Sequence, residues 1–220
     1  MFVLCMENTD NNLESSSDTR NRLLDAAEKL FCQRGFEGTS VRDITAEAGC
    51  NIAAVNYYFG SKEKLYEEMF HRRLSEKIQG HMKTIERVCA RPDATLEDLL
   101  RELVRPTMES ALRGDTWSRV VRFLVREALH RRFDRDKIAE ELIGKFFERL
   151  AAAFQQLLPG LEKRAAWRAA LTFESLVMHP ILFFEMYDLV LPGFTVEEIT
   201  EQIVRVGAAG LRSCLKGTAE

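Results

Sequence analysis

Between Arg42 and Lys64 the chain places its most specific chemistry. Nine consecutive residues, Asn51 to Phe59 ("NIAAVNYYF"), carry no charge, while Arg42 precedes them and Lys62 and Lys64 follow. The Asn56 amide can donate and accept at once, as the N6/N7 edge of adenine requires. Ile52, Ala53 and Ala54 are small or apolar enough to approach base edges and touch thymine methyl groups. The hydroxyls of Tyr57 and Tyr58, with the cations of Arg42 and Lys62, suit phosphate oxygens. A neutral centre with cationic margins is the pattern of a helix that enters a groove while its neighbours hold the backbone.

Other chemistries lack their residues. Cys5, Cys32, Cys50, Cys89 and Cys214 are odd in number and never in CxxC spacing. They read as reduced thiols, not as a disulfide framework or a zinc site. Cys50, just before the uncharged helix, invites a redox switch but reads first as a small buried hydrophobe, as does Cys32. His71, His81, His130 and His179 show no HExxH spacing, and no nucleophile elbow, P-loop or dinucleotide fingerprint occurs. No catalytic residue, metal or cofactor is therefore expected, and the chain is not expected to be an enzyme.

The elements that must position these groups are helical throughout, with no convincing period-2 run. Residues 1–18 are polar, hold four acidic and no basic side chains, and are expected as a disordered tail. From 19 to 34 the positions Leu23, Ala27, Leu30 and Phe31 repeat at helical spacing, and Gly35 is a natural terminator. Ser40 should cap a short helix ending at Gly49, and Asn51 a second one through Phe59. Ser61 should start a long helix reaching the high eighties. The clearest linker is "ARPDAT" (90–95), where Thr95 and Asp98 form a capping box. Further helices are expected at 96–113, 116–131, 135–158, 163–189 and 195–215. Pro106 and Pro180 fall inside two of these and should kink or interrupt them.

A net charge of -3 at first argues against nucleic acid, but its distribution matters more. The tail holds the acid, whereas residues 19–73 carry nine basic and eight acidic groups. No apolar run approaches the roughly 20 residues that cross a bilayer. The opening "MFVLCMENTD" has no basic n-region, so a cytoplasmic chain with no membrane partner is expected.

Two short helices joined by "AGCN" have the size of a helix-turn-helix. The stretch "RNRLLDAAEKLFCQRGFEGTSVRDITAEAGCNIAAVNYYFGSKEKLYEEMF" resembles the DNA-binding domain of the tetracycline-repressor (TetR) family. The elements that carry the resemblance are "AAEKLFCQRGFEGTSVRDIT", the turn "AEAG" and the segment ending "YYFGSKEKLY". Asn56 stands where many members have an aromatic residue, and Cys50 where valine is usual.

The resemblance implies an all-α protein, with an N-terminal three-helix helix-turn-helix DNA-binding head (19–65) and a larger C-terminal ligand-binding and dimerisation domain (66–220). It implies a homodimer formed through the last two helices, most often a repressor, that binds an inverted-repeat operator in double-stranded DNA and answers to a small-molecule effector. By motif matching, the DNA contacts fall on Arg42, Ile52, Ala53, Ala54, Asn56, Tyr57, Tyr58 and Lys62. Their presence speaks against a ligand carrier that has lost its DNA role. In the C-terminal domain, Trp117, Arg126, Glu127, His130, Phe147, His179 and Phe183 set polar groups among apolar ones and are candidates for the effector pocket. The small residues 207–210 ("GAAG") would let helices approach closely at the dimer interface.

Overall fold

A computed structural model describes residues 7–113, 139–190 and 192–215. Among them every periodic apolar segment is helical and no strand occurs. The α-helices are α1 (Glu7–Arg34), α2 (Val41–Glu47), α3 (Ala53–Phe59), α4 (Lys62–Cys89) and α5 (Leu96–Arg113). After a π-helical turn at Ala139–Gly144 come α6 (Lys145–Leu157), α7 (Lys163–Val190) and α8 (Val196–Ser213). No helix among the described residues is long and apolar enough to cross a membrane.

Two compact units divide within α4, at Arg73 and Leu74. That is eight residues beyond the boundary expected from the sequence, for a physical reason. The first turns of α4 bury Leu65, Tyr66, Met69 and Phe70, and Tyr66 sits edge-on to Phe31 at 4.8 Å. Arg72 then pairs with Asp25, and Arg73 with the buried Glu28. The head therefore consists of α1, α2, α3 and the start of α4. The expected tail also differs: α1 begins at Glu7, so residues 7–18 are helical. No proline stands in the way.

In the second unit, α5 and α8 interlock. Leu99, Leu100, Leu103 and Val104 of α5 and Ile203, Val204 and Leu211 of α8 belong to one buried cluster. Bidentate ion pairs flank it: Arg101 to Glu201 at 2.6 and 3.0 Å, and Arg212 to Glu97 at 2.6 and 2.8 Å. These pairs are a third to a half exposed, so each adds at most about 1 kcal/mol and chiefly fixes register. Capping boxes begin both helices, Thr95 with Asp98 and Thr195 with Glu198.

Two expectations are narrowed here. Pro106 and Pro180 lie inside α5 and α7, which run on through them without interruption. Each proline removes one hydrogen bond, and the buried residues on both sides, such as Val104 with Met108 and Val177 with Ile181, hold the helix together. The "GAAG" segment also divides. A Cβ on Gly207 would lie 3.2 Å from the Phe173 ring and 3.4 Å from Leu100, so Gly207 and Ala208 serve packing within the subunit. Ala209 and Gly210 face outward.

Glu28 is the costly polar group of the head, a carboxylate left about 4% exposed between two arginines. Glu28→Ala removes the buried carboxylate that Arg73 and Arg72 share, leaving Arg72 with Asp25. It should cost about 2–4 kcal/mol, reduced from a fully buried pair because the arginines are partly solvated. Urea denaturation compared with wild type measures this, and a loss below half a kcal/mol would contradict it.

Candidate nucleic-acid interface

The head builds its outer surface from two short helices whose ends are tied individually. Ser40 caps α2: its hydroxyl accepts from the Asp43 amide at 3.1 Å, while the Asp43 carboxylate accepts from the Ser40 amide at 2.9 Å. The hydrogen bonds from Ser40 hold the Asp43 carboxyl below its usual range. At the other end Gly49 adopts a left-handed conformation (φ 63°), which lets the Cys50 amide reach back to the Thr45 carbonyl at 2.8 Å. The Cys50 thiol is half-buried and donates to the Ala48 carbonyl. Asn51 then accepts from the Ala53 amide at 2.9 Å, which starts α3.

Seven residues of α3 sort cleanly by face. Val55 is fully buried and Phe59 is 6% exposed, whereas Ile52 is 52% and Tyr57 80% exposed. Ala53 and Asn56 are exposed beside them, and Ala54 is half-buried. Of the seam expected at Val55, Tyr58 and Phe59, the first and last are core. Tyr58 is half-buried, its ring edge-on to Tyr57 at 4.8 Å.

Arg42 is exposed on α2. Lys62, half-buried at the start of α4, carries its ammonium 4.0 Å from the Phe36 ring centroid, a contact that aims a flexible cation. The face thus offers an amide, a phenol, small apolar surface and cations at its margins.

An open cleft of about 430 Å³ runs along this face, lined by Thr19, Arg22, Gly49, Cys50, Asn51, Ala53, Ala54, Tyr57 and Tyr58. The structure therefore joins the residues of α3 to two that the sequence reading missed, Thr19 and Arg22. Neither has a local signal, because the Arg22 guanidinium meets its backbone partner, the Ala48 carbonyl, 26 residues away at 3.3 Å.

The effector-pocket candidates fare differently. Trp117, Arg126, Glu127 and His130 lie outside the described residues. Phe147 stacks on Trp167 with centroids 6.4 Å apart and packs against the core of the second unit. His179 and Phe183 meet each other at 4.8 Å on an exposed face of α7, so neither is enclosed within the described residues of one chain.

Two polar groups of the second unit, given no role by the sequence reading, are shifted toward neutrality by burial. His81 lies edge-on to Phe146 at 5.7 Å, and burial, helped by the charge of Lys77, pushes its imidazole down to about 4. Burial pushes the Glu174 carboxyl up to about 7, against the pull of Lys77. Among the described residues no group of three or more His, Cys, Asp or Glu side chains could hold a metal ion.

Comparison with known proteins agrees with this geometry. Residues 23–69 match the family model of bacterial regulatory proteins, tetR family, and residues 101–210 match the tetracyclin repressor-like C-terminal domain. The HTH-type transcriptional regulator YttP of Bacillus subtilis is 28% identical over 170 residues, 74% of this chain and 77% of its own length. Among solved structures, FadR of Bacillus subtilis in complex with stearoyl-CoA superposes with a TM-score of 0.66 at 17% identity. AibR in complex with isovaleryl coenzyme A and operator DNA does so with 0.61 at 22% identity. Each alignment covers 86% of this chain and 97% of the other. At those identities the likeness is one of fold.

His81 and Glu174 give opposite pH slopes. The folded value of His81 lies below its ordinary 6.5, so its share of stability is lost as pH falls from about 6.5 toward 4. Glu174 lies above its ordinary 4.5, so the folded state is penalised as pH rises from about 4.5 to 7. Between about 4.5 and 6.5 the two offset each other. In that window Glu174→Gln should therefore make thermal stability fall on acidification, and His81→Gln should make it rise, each relative to wild type. Melting temperatures from pH 4 to 8 test this, and variant curves parallel to wild type would contradict it.

Proposed function

The chain belongs to the TetR family of bacterial regulatory proteins, and on that premise we propose that it is a ligand-responsive repressor, gripping a pseudopalindromic operator as a homodimer and releasing it when a small-molecule effector binds. The observation that carries this reading is the division of α3: Val55 and Phe59 are buried, while Ile52, Ala53, Asn56 and Tyr57 face outward. A helix so anchored can enter a major groove with Asn56 toward adenine and the apolar residues toward thymine methyls. Arg42, Tyr57, Tyr58 and Lys62 then hold phosphates and set register.

Dimerisation through α7 and α8 is supported by what they leave uncovered. Leu171, Phe183 and Met186 of α7 and Val206 of α8 are exposed, and Ala209 and Gly210 offer a surface with little side chain in the way. A second copy applied to this face would bury them, giving an isologous interface. His179 and Phe183, placed on the same exposed helix, fit that interface better than a ligand cavity.

The effector would bind in the second unit and act by preferring a conformation in which the two reading helices no longer match successive grooves. Phe147 and Trp167 provide apolar wall for such a molecule. The fold neighbours FadR and AibR hold stearoyl-CoA and isovaleryl coenzyme A, so acyl thioesters are the first class to screen. The premise of a soluble regulator implies a cytoplasmic location.

Two variants separate the parts of this proposal. Asn56→Ala should weaken binding to the preferred duplex about tenfold or more and relax base choice at one position per half-site, since a bidentate base contact is worth about 1–3 kcal/mol. Competition binding against single-base substitutions reads this out, and unchanged preference at every position would refute the assignment. Val206→Glu places a charge in the apolar face and should yield folded monomers that bind the operator far more weakly. Sedimentation equilibrium giving wild-type dimers would refute that interface.

A further inference from the structure

We propose that Arg22 is a DNA-phosphate contact supplied by α1, held in readiness by the helix-turn-helix turn, with Asp18 as the internal anion that the phosphate displaces. This rests on the reading of α3 as the groove-entering helix. The cleft beside α3 brings Arg22 and Thr19 of α1 onto the same wall as Asn51, Ala54 and Tyr57, and among the described residues that line it Arg22 alone is charged. A groove-entering α3 carries DNA across the mouth of that cleft. The strand there meets the cation of Arg22.

The guanidinium is fixed before any ligand arrives. Its Nη1 donates to the Ala48 carbonyl at 3.3 Å and its Nη2 to the Thr19 hydroxyl at 3.2 Å. Its Nε lies 3.3 Å from the carboxylate of Asp18, one turn earlier on the same helix. Two of these contacts are to neutral groups, which orient the fork without cancelling its charge. The third is an exposed ion pair, Arg22 being 47% and Asp18 72% accessible, and such pairs contribute little in water. A phosphate oxygen can replace that carboxylate at small cost while the neutral contacts persist. The hold on Ala48 also ties the end of α2 to α1, so the same residue keeps the turn and the start of α3 in register.

A structural brace and a phosphate contact differ in salt dependence. Each neutralised phosphate contributes about 0.9 to the slope of log K against log [salt], so a dimer that uses two Arg22 residues should lose about 1.8 on substitution. The experiment is fluorescence anisotropy of a 30-base-pair random-sequence duplex with the full chain, titrated at several KCl concentrations. Arg22→Gln should bind more weakly with the slope reduced by about that amount, and Arg22→Lys should keep the wild-type slope. Asp18→Asn, which leaves every backbone contact in place, should tighten binding several-fold at low salt.

Weaker binding by Arg22→Gln with an unchanged slope would make Arg22 a brace only and overturn the proposal. A Lys variant with the Gln variant's slope, or an Asp18→Asn variant without effect, would also count against it. Failure of the wild-type protein to bind the duplex at all would instead sink the reading of α3 on which this rests.

Discussion

A helix of seven residues has no independent stability in water, so α3 exists only because the rest of the head holds it. Burying Val55 and Phe59 contributes about 1.5–3 kcal/mol each, and that anchorage decides which of its other side chains face outward. Both ends are tied by local chemistry: Asn51 accepts from the Ala53 amide, and Gly60, with φ 81°, returns its amide to the Asn56 carbonyl at 3.0 Å. On α3 the buried side chains, Val55 and Phe59, carry the packing, and Asn56 and Tyr57 are left exposed. Tyr57 and Tyr58, adjacent in sequence, differ in exposure, the first open and the second half-buried.

The head extends the same economy to its charges. Glu28 ties α1 to the start of α4, Arg22 ties α1 to the end of α2, and Lys62 rests on Phe36. Such contacts spend charge on orientation, which explains how a chain with a net charge of -3 can present cations where they count. In the second unit the charged groups do different work. Arg101 with Glu201 and Arg212 with Glu97 set the register of α5 against α8, while burial shifts His81 and Glu174 toward neutrality.

Much of this was legible in the sequence because its causes are local. Ser40 with Asp43 and Thr95 with Asp98 are three residues apart, and Gly35 and Gly49 end helices by their own backbone freedom. The apolar periodicity separates Val55 and Phe59 from Ile52 and Asn56 for the same reason. What the sequence hid depends on distant partners. Arg22 meets Ala48 across 26 residues, and Glu28 meets Arg73 across 45. Of the kink or break that local propensity allows at Pro106 and Pro180, the break does not occur, because buried neighbours on each side carry the helix through. The "GAAG" segment divides for a like reason: which small residue faces inward is set by Phe173 and Leu100, far away in the chain.

The central claim is that α3 is the reading helix of a two-fold symmetric dimer. Selection of bound duplexes from a random-sequence pool by the full-length protein tests it most directly. The account predicts enrichment of an inverted repeat whose half-sites lie about one helical turn, or a multiple of it, apart. Enrichment of single or directly repeated half-sites would contradict the dimer geometry, and no enrichment at low salt would contradict the role given to α3.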